Sequence, residues 1–122
     1  MDSFDVIVIG SGPGGYVSAI RGAQLGLRVA VIEKEALGGV CLNWGCIPTK
    51  SFLRSAEVLK IIKGSEKYGI KSDLGKIDIS EIVKRSRAIA QKLSSGVEYL
   101  LKKNKIMVFI GKGSFKNNNT VV

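Results

Sequence analysis

A chain of 122 residues, 45% hydrophobic and 24% charged, has the composition of one modest globular domain. Its formal charge of +9 comes from lysines and arginines scattered over predicted helix faces with few aromatics between them, which predicts a solvated basic surface and no nucleic-acid partner, since that role needs clustered charge beside stacking rings. No apolar run nears the roughly 20 residues of a membrane span, and the complete lack of histidine removes that side chain as base, metal ligand or partner of a nucleophile.

The chain begins "MDSFDVIVIG", with two acids and no basic leader, so a cytoplasmic location is expected. "FDVIVIG" is a continuous apolar run ending in glycine, as in a strand buried on both faces of a parallel sheet. After "SGPGG", "YVSAIRGAQLG" has helical spacing and stops at Gly26. "LRVAVIEK" predicts a second buried strand, so residues 4 to 33 form a right-handed strand–helix–strand unit. "SFLRSAEVLKIIKG" predicts an amphipathic helix ending at Gly64, and "KYGIKSDLGK" a loop. Asp78 and Glu81 have capping-box spacing. They open a helix to about Lys103 with Ile82, Val83, Ile89, Leu93, Val97 and Leu100 on or near one face. "KIMVFIG" predicts a third strand, and "KGSFKNNNTVV" two short strands around an asparagine turn. The fold class is α/β, a Rossmann-like parallel sheet. A doubly wound sheet carries more strands than these, so residues 1–122 are expected to be part of a longer polypeptide.

Gly10, Gly12 and Gly15 fit G-x-G-x-x-G, and the strand before, the helix after and the acid ending the next strand give that pattern its meaning. Gly10 permits the sharp turn, Gly12 lets a pyrophosphate approach the backbone, and Gly15 allows helix and strand to pack closely. Amides and dipole at the helix start favour phosphate. Glu33, 18 residues past Gly15, stands where ribose hydroxyls can donate to it. The pattern indicates a dinucleotide without distinguishing NAD from FAD.

Both cysteines lie in "LGGVCLNWGCIPTKS". As a staple, a Cys41–Cys46 bridge closes so small a loop that it contributes only about 2 kcal/mol. As a metal clip, two thiolates without histidine leave a tetrahedral ion half bound, so no metal is expected. As a reagent, the pair cycles between disulfide and dithiol and carries two electrons. Bridging needs α-carbons within roughly 7 Å, whereas residues five apart in a regular helix rise about 7.5 Å. The turn must therefore depart from ideal helix, as Gly45 and Pro48 allow. A helix N-terminus beside a thiol would favour its thiolate. A redox pair so near a dinucleotide unit suits FAD, because a flavin accepts a dithiol's electrons directly.

Together "GSGPGGYVSAIRGAQLG", "VIEK" and "GGVCLNWGCIPTK" resemble the pyridine nucleotide–disulfide oxidoreductases over the whole chain, and "CLNWGCIPTK" resembles the lipoamide branch. The resemblance implies an N-terminal segment of an FAD-binding domain, with NAD-binding and dimerisation domains outside this chain. It implies an enzyme that oxidises protein-bound dihydrolipoyl groups and sends the electrons through a Cys41–Cys46 disulfide and FAD to NAD. Cys41 would be the interchange thiol, Cys46 the charge-transfer thiolate against the flavin, and Lys50 a tuning residue beside the ring. Gly10, Gly12, Gly14, Gly15, Glu33 and Lys34 would hold adenosine and pyrophosphate, Gly39 and Val40 would pass the phosphates, and Gly113 the adenine end. The implied partners are lipoyl domains of 2-oxoacid dehydrogenase complexes and a second copy of the chain. Val40 departs from the family's usual threonine and cannot donate that hydroxyl. Trp44 is expected to be a packing residue. The family's histidine base is not in this sequence. The alternatives are a sister reductase of glutathione or mercuric ion using NADPH, and a non-catalytic FAD-binding fragment.

Overall fold

The computed structural model describes residues 2–122. In chain order it has β1 (Val6–Ile9), α1 (Pro13–Gln24), β2 (Val29–Glu33), α2 (Gly39–Asn43), α3 (Cys46–Lys63), a 3-10 turn (Ser65–Tyr68), α4 (Ile79–Lys103), β3 (Met107–Ile110), β4 (Phe115–Asn117) and β5 (Thr120–Val121). The fold is α/β. Strands β1, β2 and β3 form one parallel sheet in that spatial order, with Val8 opposite Val31 and Val31 opposite Val108. This is the arrangement of the first half of a doubly wound dinucleotide fold. Strands β4 and β5 make a small antiparallel hairpin around the asparagines, as the sequence predicts.

Two crossovers join parallel neighbours in the same direction, and with the right-handed sense that such connections take they carry their helices to one face of the sheet. Alternate strand residues Val8, Val29, Val31 and Val108 point to that face and meet Ala19 of α1, Leu42 of α2, and Val97 and Leu101 of α4. The intervening residues Ile7, Met107 and Phe109 point the other way and are exposed. β1 therefore differs from expectation. It is an edge strand with Val6, Ile7 and Ile9 exposed, and among the described residues only the middle strand β2 is enclosed.

α1 starts at Pro13, where the missing N–H costs nothing, and its chain leaves through Gly26 at φ +86°. α3 begins five residues earlier than the sequence predicts, at Cys46. Pro48 then falls in the first turn, where its ring is tolerated and no intrahelical donor is lost. Asp78 caps α4 by accepting from the amides of Ser80 at 2.9 Å and Glu81 at 3.3 Å. Only this half of the capping box is seen, and the Glu81 carboxylate faces Lys84 at 3.3 Å instead. The buried face of α4 runs through Ser86, Ala90, Val97 and Leu101, while Val83, Leu93 and Leu100 are exposed. The difference arises because α2 and α3 both pack along α4, and small residues let helix axes approach.

Leu101 has no exposed surface. Leu101→Ala should lower the urea midpoint by an amount equivalent to about 2–5 kcal/mol. An unchanged midpoint would show that the core lies elsewhere.

Candidate functional site

A groove of about 370 Å³ crosses the C-terminal ends of the three parallel strands, where open α/β sheets hold ligands. Its walls come from Ile9, Gly10 and Gly12, from Ile32 to Ala36, from Gly39, Val40 and Trp44, and from Gly111 to Gly113. A side-chain carbon at Gly12 would meet no atom within 4 Å, so this backbone faces open space. Among the described residues, no side chain caps the start of α1 and no acid lies in its first turn. With proline at the first helical position, the amides of Gly14 and Gly15 remain as donors there. An uncapped helix start above a backbone free of side chains fits an anionic pyrophosphate. Gly15 has a different task. A side-chain carbon there would overlap the carbonyl of Gly10, so it is the packing glycine of the motif.

Ser11 joins the parts of the groove. It is fully buried. Its amide and hydroxyl both donate to Glu33 Oε2, at 2.8 and 2.6 Å. Its carbonyl and its Oγ both accept from the amide of Gly38, at 3.1 and 3.3 Å. The amide of Glu35 donates to Glu33 Oε1 at 3.0 Å, which leaves Oε1 the freer oxygen for an incoming hydroxyl. Burial by itself raises the Glu33 pKa, but the Ser11 hydroxyl and the amides of Glu35, Ser11 and Lys34 together outweigh it, and the carboxyl sits below its ordinary value. Gly39 then rests on the glycine turn: a side-chain carbon there would come within 2.8 Å of the Gly12 α-carbon. Ser11 stands at an unspecified position of the glycine motif, and the sequence carries no signal for this role because its partners lie 22 and 27 residues away.

Cys41 and Cys46 form a disulfide with α-carbons 4.6 Å apart. The departure from ideal helix is a break. α2 ends with the amides of Trp44 and Gly45 both donating to the Val40 carbonyl, and α3 starts afresh at Cys46. The two sulfurs have unlike settings. Cys46 is exposed and is the first residue of an 18-residue helix, whose N-terminus favours a thiolate. Cys41 is half-buried within a five-residue helix and packs against the core.

Of the residues singled out from the sequence, Gly10, Gly12, Glu33, Lys34, Gly39, Val40 and Gly113 share the groove wall. Gly14, Gly15, Cys41, Cys46 and Lys50 do not line it. Lys50 is exposed on α3, four residues after Cys46 and so on the same helix face. Trp44 contradicts the packing expectation: it is 52% exposed and lines the groove, because the break between α2 and α3 turns it outward. Gly111, Lys112 and Glu35 complete the wall without a motif to mark them.

Residues 4–122 match the family model described as pyridine nucleotide-disulphide oxidoreductase. Over 121 residues the chain is 54% identical to the dihydrolipoyl dehydrogenase of Zymomonas mobilis, covering 99% of this chain and 26% of that protein. It is 50% identical over 122 residues to the dihydrolipoyl dehydrogenase of Rhizobium etli, covering 99% and 25%. Against that of Acholeplasma laidlawii it is 49% identical over 121 residues, covering 98% and 36%. The chain spans roughly a quarter to a third of the length of these curated relatives.

Ser11→Ala should cost about 1–3 kcal/mol, because it removes one donor from a buried carboxylate. The pH dependence has a definite sign. A depressed carboxyl pKa contributes stability that is complete above the ordinary glutamate value of about 4.3 and is lost as pH falls through the lower folded value. The stability gap between the wild type and Glu33→Gln, measured by urea titration, should therefore be wider at pH 6 than at pH 3. An equal gap at both would contradict the bonding assigned to Glu33.

Proposed function

The chain belongs to the pyridine nucleotide-disulphide oxidoreductase family, and on that footing we propose that it is the FAD-binding, disulfide-bearing part of a dihydrolipoyl dehydrogenase. The observation that carries the reading is a disulfide built across a helix break beside a glycine-walled groove. The relatives named above share this stretch of chain with it. The NAD-binding and dimerisation domains belong to the remainder of such a protein, and its partners are lipoyl domains of a 2-oxoacid dehydrogenase complex and a second copy of itself. Among the described residues no helix is long and apolar enough to cross a membrane, and we place the enzyme in the cytoplasm.

In this reading Gly10, Gly12, Gly14 and Gly15 hold the pyrophosphate with the N-terminus of α1. Glu33 and Lys34 hold the adenosine ribose. Gly39 and Val40 lie along the phosphates through their backbone, and Gly113 borders the adenine end. Lys50 acts on the flavin from the face of α3 that it shares with Cys46. When bound, FAD supplies a two-electron acceptor that hands electrons on to NAD. The chain's own chemistry is thiol exchange. A thiolate of the dihydrolipoyl group attacks Cys41 sulfur, and Cys46 departs as a thiolate stabilised by the start of α3. The second substrate thiolate then displaces Cys41. The substrate dithiol becomes a disulfide, and the protein disulfide becomes a dithiol. The base that takes the substrate's protons comes from outside this sequence, which has no histidine.

The complete protein, purified with flavin and reduced with excess dithiol, should develop a long-wavelength charge-transfer band that Cys46→Ser abolishes. A band that survives this change, or a protein that takes up no flavin, overturns the reading. Turnover of dihydrolipoamide with NAD, compared with glutathione disulfide and NADPH, separates the lipoamide branch from its sister reductases. Val40 is exposed in the groove wall. Val40→Thr should tighten flavin binding about fivefold, the worth of one added hydrogen bond, as measured by quenching of flavin fluorescence.

A further inference from the structure

α2 is too short to hold itself together, since a five-residue helix lies far below the length that is stable alone. It is fastened from outside at both ends. Arg87 Nη1 on α4 donates to the Asn43 carbonyl at 3.1 Å. Ser94 Oγ, two helical turns further along α4, donates to the Leu37 carbonyl at 2.7 Å. Asn43 Nδ2 closes the frame by donating to the carbonyls of Leu37 at 3.0 Å and Gly39 at 2.9 Å. Cys41 lies inside this frame. The helix that carries Cys46 is tied to α4 separately, by Arg85 Nη1 donating to Ser51 Oγ at 2.9 Å. The two sulfurs thus belong to different helices, each moored to α4.

We propose that Arg87 is a positioning residue for the redox step: by holding the Asn43 carbonyl it keeps the Cys41 helix on α4, so that the opened thiols stay within closing distance. This rests on the redox reading above. While the bridge is closed, the covalent bond itself holds the helices together. Once it opens, the two-residue link at the break, the burial of Leu42 and the moorings to α4 do so, and the moorings are what limits how far α2 shifts along α4. The equilibrium for closure depends on how often the two sulfurs meet, as an effective concentration set by the frame. Losing one mooring leaves the closed form nearly unchanged and loosens the open one. The dithiol therefore gains and the potential becomes less negative.

The test equilibrates the complete flavin-loaded protein with glutathione buffers under argon. In closure the glutathione S–S bond breaks, the Cys41–Cys46 bond forms, and both thiol protons end on two glutathione thiols. Acid quenching, alkylation and mass measurement give the closed fraction. Arg87→Met should lower the closure constant about threefold to tenfold, the range for one hydrogen bond, which is about 14 to 30 mV for two electrons. Ser94→Ala should shift it in the same direction, and Arg87→Lys, which keeps a donor, should recover most of the loss. Arg54→Met, which removes a cation paired only with Glu57 on the exposed side of α3, should titrate with the wild type. The inference is overturned if Arg87→Met and Ser94→Ala both match the wild type, or if Arg54→Met shifts as far as Arg87→Met. A wild-type bridge that stays closed across every buffer overturns the redox reading and this inference with it; a wild type that titrates alongside an unaltered Arg87→Met overturns the mooring alone. If Arg87→Met does not fold, Ser94→Ala and Arg87→Lys decide between the same outcomes.

Discussion

A carboxylate removed from water must be met by donors, and the arrangement around Glu33 follows from that need. Glu33 ends the middle strand, which is enclosed on both faces, and it is nearly inaccessible. Ser11 answers with two donors from the glycine turn, and Glu35 answers with one from the far side. Because the same serine also binds Gly38, the charge ties three segments that are distant in sequence into one wall. The turn after β1, the end of β2 and the approach to α2 cannot move independently. The groove takes its shape from this knot, and the cysteine segment starts from its edge.

The second constraint is geometric. A bridge between residues five apart is incompatible with a continuous helix, so the chain ends one helix and starts another inside the interval. The break does more than admit the bond. It puts one sulfur at the start of a long helix in solvent and the other in a short helix against the core. The two sulfurs are unequally placed before any cofactor is considered, and in a thiol exchange such inequality biases which sulfur is attacked and which leaves.

Much of this was legible from residues alone. Hydrophobic runs placed β1, β2 and β3, because strand and helix periods differ and each run ends in glycine or charge. The glycine turn could be read from spacing, and Gly45 and Pro48 signalled the irregular interval between the cysteines. What escaped depended on contacts between distant residues. Ser11 reads as filler because its carboxylate partner is 22 residues away. The enclosure expected for β1 failed because an apolar run does not say whether its strand lies at the middle or the edge of a sheet. On α4 the expectation holds for Val97 and partly for Ile82 and Ile89 but fails for Val83, Leu93 and Leu100, because large apolar residues guide it whereas the packed face also runs through Ser86 and Ala90 against two helices whose approach no local pattern reports. Residue type places Trp44 in packing, whereas the helix break turns it outward.

The mooring of both cysteine helices to α4 bears on how such a site can be transplanted. The stretch from Leu37 to Ser51 looks self-contained on paper, a cassette that could be cut from one flavoprotein and pasted into another. Its carbonyls and its serine are gripped from residues 85, 87 and 94, so the inheritable unit is discontinuous. A chimera that received only the cassette would carry the sulfurs without their scaffold.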